Sequence, residues 1–180
     1  MANLSTCITT PIGTLFFSAS AREGDLSNAS ISTCQIKPII PEGMHVQECM
    51  AVLLRCTSNS PIRDAVFLCE WNDFEESGFG APGEGLDAWE WESDGVLVMV
   101  GTEDAEWANS RLKLHKEFCS DNYPITNENN KISIVIEEFS THQELSLHFV
   151  VAWNKLPEPK ECSCWYAVDV PHKRIVGLCS

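Results

Sequence analysis

Apolar residues in this chain recur mostly with the period of strands. Residues 12–20, after Pro11, carry Ile12, Leu15, Phe16 and Phe17 among β-prone neighbours and predict a first strand. Arg22-Glu23-Gly24-Asp25 reads as a turn, and a second strand at 29–37 is closed by Pro38 and Pro41. Asp64-Ala65-Val66-Phe67-Leu68-Cys69-Glu70-Trp71 predicts another strand. A loop follows at 77–86, rich in Gly78, Gly80, Pro82, Gly83 and Gly85. Beyond it Trp89 and Trp91 alternate with Glu90 and Glu92, a strand with one indole face and one carboxylate face. Asp94-Gly95 is a type I′ turn dipeptide and predicts a hairpin. Its return strand, Val96-Leu97-Val98-Met99-Val100, is apolar on both faces and therefore central. Further strands are expected at 132–138, 145–153, 164–170 and 175–178. Asn127-Glu128-Asn129-Asn130 reads as a polar loop, Thr141-His142-Gln143-Glu144 as a hairpin loop, and 157–161 as an extended proline-rich link.

Two stretches show the helical period instead. Val46, Cys49, Met50, Leu53 and Leu54 form one apolar stripe, so a helix is expected near 42–56, with a buried strand at 50–54 competing. The second helix is expected near 103–118. Thr102 is its expected cap, Glu103, Asp104 and Glu106 lie in its first turn, and Arg111, Lys113, His115 and Lys116 lie later. Trp107, Leu114 and Phe118 mark its expected inner face. The sum is a single α+β domain spanning 1–180, built mainly on antiparallel sheet.

Charge sharpens this picture. The formal net charge is -14, and residues 64–110 hold thirteen of the 26 acidic residues and none of the 12 Lys and Arg. A pI near 4.6 argues against nucleic acid and against anionic membrane surfaces, both of which are bound through basic side chains. A protein with a basic surface is the natural complement. No apolar run is long enough to span a bilayer, and the N-terminus does not read as a signal peptide, so the expected compartment is the cytoplasm. In that compartment the nine cysteines read as buried free thiols. Only Cys162-Ser163-Cys164 approaches zinc-ligand spacing, and it lacks a second pair.

Candidate chemistry is sparse. No phosphate-binding loop, dinucleotide fingerprint, zincin helix, nucleophile elbow or calcium loop occurs. Cys164, Asp169 and His172 are close in sequence, but nothing in their spacing places a base within reach of a nucleophile. His142, His148 and His115 could meet a carboxylate only through tertiary folding. No catalytic residue, metal or cofactor is therefore expected. The remaining feature is the acidic and aromatic tract, which can be either a solvated face or an interface. As an interface it offers Asp73, Phe74, Glu75, Glu76, Phe79, Glu84, Glu90, Glu92 and Asp94, carboxylates to steer a basic partner and aromatic rings to anchor it.

Leu145-Ser146-Leu147-His148-Phe149-Val150-Val151-Ala152-Trp153-Asn154 and Cys164-Trp165-Tyr166-Ala167-Val168-Asp169-Val170-Pro171-His172 resemble the small α+β immunity proteins of bacterial toxin systems. The resemblance implies a cytoplasmic protein, not an enzyme, that protects its own cell by binding a polymorphic or type VI-secreted toxin. The partner would be a cognate toxin with a basic active-site cleft. A small enzyme with an unrecognised site and a phage or accessory structural protein are the alternatives.

Overall fold

The computed structural model describes residues 4–112, 123–128, 130–139, 144–155 and 160–179, with side chains from 163 onward in the last segment. Among the described residues eleven strands and three short helices follow in the order β1 Leu4–Thr10, β2 Gly13–Glu23, β3 Ser30–Gln35, β4 Glu48–Thr57, β5 Ile62–Trp71, β6 Phe79–Gly80, β7 Leu86–Ser93, β8 Val96–Glu103, α1 Ala105–Leu112, β9 Ile125–Glu128, β10 Lys131–Phe139, β11 Glu144–Lys155, α2 Lys160–Val168 and α3 His172–Leu178. The strands form two antiparallel sheets, ordered β1-β2-β5-β10-β9 and β3-β4-β11-β8-β7-β6. This is the expected α+β architecture.

The six-stranded sheet is buried on both sides, which makes three layers. On one side it meets the five-stranded sheet across Phe17, Phe67 and Phe149, whose rings lie 4.8–5.9 Å apart from Phe149. On the other side α2 and α3 cover Cys49, Ala51, Leu53, Leu97, Met99, Val150 and Ala152. In β11, Leu145, Leu147, Phe149, Val151 and Trp153 face the first core, while Val150 and Ala152 face the second. That is why its sequence shows no alternation. Trp91 enters the first core, and Glu90 and Glu92 point to the opposite face, as their alternation indicated. Asp94 and Gly95 take φ of 50° and 73°, the left-handed pair of a type I′ turn, and Ser93 pairs with Val96.

Several expectations fail. The helix expected near 42–56 is β4, a central strand between β3 and β11. Cys49, Ala51, Val52, Leu53, Leu54 and Cys56 are all buried, so nearly every position is apolar and a helical stripe can be drawn through them by coincidence. The strand expected at 164–170 is mostly α2, because Cys164, Ala167 and Val168 form the i, i+3, i+4 face that covers the sheet. The strand expected at 175–178 belongs to α3, which begins after Pro171, a residue suited to a helix start. Of the polar loop expected at 127–130, Asn127 and Glu128 belong to β9 and Asn130, at φ 70°, precedes β10; 129 lies outside the described residues. β10 and β11 belong to different sheets and Glu144 opens β11; positions 141–143 of the expected hairpin loop lie outside the described residues.

The helix expected at 103–118 is present as α1, and 113–118 lie outside the described residues. Its cap is Asp104, whose Oδ1 accepts from Trp107 N at 2.8 Å; Thr102 lies within β8 and its hydroxyl donates to His148 O at 2.7 Å. Ala105, Ala108 and Leu112 form its inner face, and Trp107 is 60% exposed. Cys34 and Cys179 are not free thiols but a disulfide, joining β3 to the residue after α3 across 145 positions. Cys49, Cys56, Cys69 and Cys164 do stand as buried thiols.

Candidate functional site

The chain's acidic tract is divided by the fold. Trp71 at the end of β5 packs on Trp91 of β7, with rings 5.6 Å apart, and Phe79 pairs with Glu90. The segment from Asp73 to Phe79 therefore lies beside the far half of β7 and its hairpin. Asn130 Nδ2 donates to Phe74 O at 2.7 Å and anchors this segment. Asp73, Glu75, Glu76, Glu92 and Asp94 are exposed, Phe74 and Glu90 are half-buried, and Phe79 is 75% exposed. Glu84 is separate. Gly83 and Leu86 bridge at the opposite end of β7, six residues and roughly 20 Å from Glu92.

Near Glu84 the structure opens a pocket of about 710 Å³ whose lining includes Glu84, Glu106, Trp107, Arg111, Asp169 and His172. Beneath it lies a polar cluster that the sequence did not reveal. Glu103 ends β8, Ser146 and His148 project from β11 toward the helical layer, and His172 opens α3. His148 Nδ1 and His172 Nδ1 are 2.8 Å apart, and His172 Nε2 is 2.8 Å from Ser146 Oγ. Glu103 Oε2 is 3.6 Å from His172 Nδ1. Arg111 forms a two-pronged ion pair with Glu103 and donates to Ser146 O at 2.8 Å.

Electrostatics keep both rings neutral. Burial, then the charge of Arg111 and of Arg55, pushes His172 down to about 3. Burial, then His172 and Arg111, holds His148 well below the ordinary histidine range. A hydrogen bond between two neutral imidazoles needs one proton between the two Nδ1 atoms. His148 Nε2 is buried with no partner among the described residues.

Other groups considered from sequence do not converge on a nucleophile. Cys164 is fully buried on the sheet-facing side of α2, while Asp169 faces the pocket with its carboxyl raised by burial. Burial pushes the Cys49 thiol up to about 12, so it holds no thiolate at neutral pH. His148 pairs with His172; His115 and His142 lie outside the described residues. The spacing of 24 residues between the paired histidines carries no local signal. The polar residue at even positions of an otherwise apolar β11 was the hint available.

No family model matches the chain, and no curated protein matches it. No helix among the described residues is long and apolar enough to cross a membrane.

Proposed function

We propose that this chain is a binding protein that neutralises a cognate toxin by laying its acidic end across the toxin's basic active-site cleft. One observation carries the reading: Phe79, 75% exposed, stands beside a loop and hairpin edge bearing Asp73, Glu75, Glu76, Glu92 and Asp94. Exposed carboxylates accelerate and orient encounter with a basic surface, and a central aromatic ring supplies the buried anchor once contact is made. The ion pairs between described residues engage other carboxylates, including Asp64, Glu23, Glu70 and Glu103, so Asp73, Glu75, Glu76 and Asp94 carry uncompensated charge. Like charge gathered at one end costs self-repulsion, which a basic partner would relieve. The immunity-type reading places the protein in a bacterial cytoplasm, where the Cys34 and Cys179 thiols would be held reduced.

The test is co-expression with the product of the adjacent gene, followed by pull-down and binding in increasing salt. A complex that weakens with salt and is lost with Glu75→Lys, Glu76→Lys and Phe79→Ala together, but survives Glu84→Lys, supports the reading. No complex, or one indifferent to the triple change, ends it.

A further inference from the structure

We infer that Glu103, His148 and His172 form a binding site for one divalent first-row transition metal ion at the floor of the pocket. This goes beyond the proposed partner binding and does not depend on it. Three donor groups from β8, β11 and α3 present ligand atoms that all lie within 4.8 Å of one another. Two imidazoles and a carboxylate are a ligand set suited to such ions.

The two separations made by His172 are close to those a metal requires. Ligands at about 2.1 Å stand roughly 3.0 Å apart when adjacent in an octahedron and roughly 3.4 Å apart in a tetrahedron. The two Nδ1 atoms at 2.8 Å need to open by only a few tenths of an ångström, and the His172 to Glu103 distance of 3.6 Å needs to close by about as much. The surroundings are those of an oriented site. Ser146 Oγ, accepting from His172 Nε2–H, would leave the Nδ1 lone pair free for the ion. Arg111 fixes the Glu103 carboxylate in place. Glu103 and His172 also line the pocket, which gives the ion a route from solvent and leaves room for water or a ligand at its open positions.

Two features limit the affinity and select the ion. Arg111 shares Glu103 with the ion, so the site offers little negative charge and disfavours Mg²⁺ and Ca²⁺, which depend on oxygen donors. Nitrogen-seeking ions are favoured. His148 Nε2 has no partner among the described residues to support it, and loss of such support costs about 10- to 100-fold in affinity. Binding is therefore expected to be about 10- to 100-fold weaker than at a fully supported site of the same ligands.

The test uses the full chain, prepared without a histidine tag and stripped with chelator, titrated with Co²⁺ and followed by visible absorption, with Zn²⁺ competition. One saturable equivalent of Co²⁺, displaced by Zn²⁺, is expected. The signal should vanish in His172→Gln and His148→Gln, each checked for folding by circular dichroism. It should weaken at least about tenfold in Glu103→Gln. Should either histidine variant lose its fold, Glu103→Gln decides: a loss of affinity of at least about tenfold supports the site, and unchanged affinity counts against it. Absence of a saturable signal, or a signal that survives His172→Gln in folded protein, overturns the inference, the latter because the ion would then be sitting on other histidines.

Discussion

Mild acid should weaken the metal-free protein through the buried histidine pair, and the size of the effect follows from the site. In the unfolded chain each histidine titrates near 6.5, whereas in the folded protein His172 is held down to about 3 and His148 lies well below the ordinary range. Both folded values are depressed, so the folded state binds fewer protons across this interval. Stability is therefore complete above pH 6.5 and declines as pH falls below it, until the folded histidines themselves take up protons. At pH 5.5 an unfolded-state histidine gains about 1.4 kcal/mol from protonation, so the pair removes roughly 3 kcal/mol. The assay is urea denaturation in chelator at pH 7.5 and pH 5.5, for wild type and for the His148→Gln, His172→Gln double variant. The difference between the two proteins removes the contribution of the other histidines and of the carboxylates. A double variant that loses as much stability on acidification as wild type would refute the argument, since it would mean the pair takes up protons without unfolding.

Two glycines separate crowding from backbone conformation. A Cβ at Gly101 would sit 2.8 Å from Val168 Cγ2 and 2.9 Å from its Cβ, so Gly101→Ala should lift α2 off β8 and cost about 1–3 kcal/mol in urea denaturation. At Gly95 nothing lies within 4 Å but φ is +73°, so Gly95→Ala should cost about 1 kcal/mol while leaving near-ultraviolet circular dichroism unchanged. The Cys34–Cys179 bond closes a span of 145 residues, and Cys34→Ser should lower stability under oxidising conditions by roughly 2–4 kcal/mol. Under reducing conditions wild type and variant should denature alike.

The strands were legible wherever one face was wet or a turn dipeptide punctuated the chain. Trp89 to Glu92 shows its two faces by alternation, and Asp94-Gly95 fixes its own turn by the φ values it requires. Legibility failed where both faces are dry. Through Cys49 to Cys56 almost every residue is buried, so any period can be fitted and the choice of strand over helix is made by β3 and β11 on either side. Trp165, Tyr166 and Val168 carry β propensity, yet the packing of Cys164, Ala167 and Val168 on the sheet overrides it. Of the nine acidic and aromatic positions proposed for contact, the chain's own order hid that Glu84 is carried to the opposite end of β7. The histidine pair was hidden for the same reason. His148 and His172 meet because α3 folds back over β11, a contact without any local pattern.

In β11 the residues from Leu145 to Asn154 are all buried, the odd-numbered ones against the other sheet and the even-numbered ones toward the helices and the polar cluster. Such a strand has no side of its sequence left to drift. Among descendants of this chain, change should collect on the outward positions of β1, β2 and the acidic loop, where a substitution meets only water. β11 should be the slowest segment to diverge, and the one by which distant copies are most readily traced.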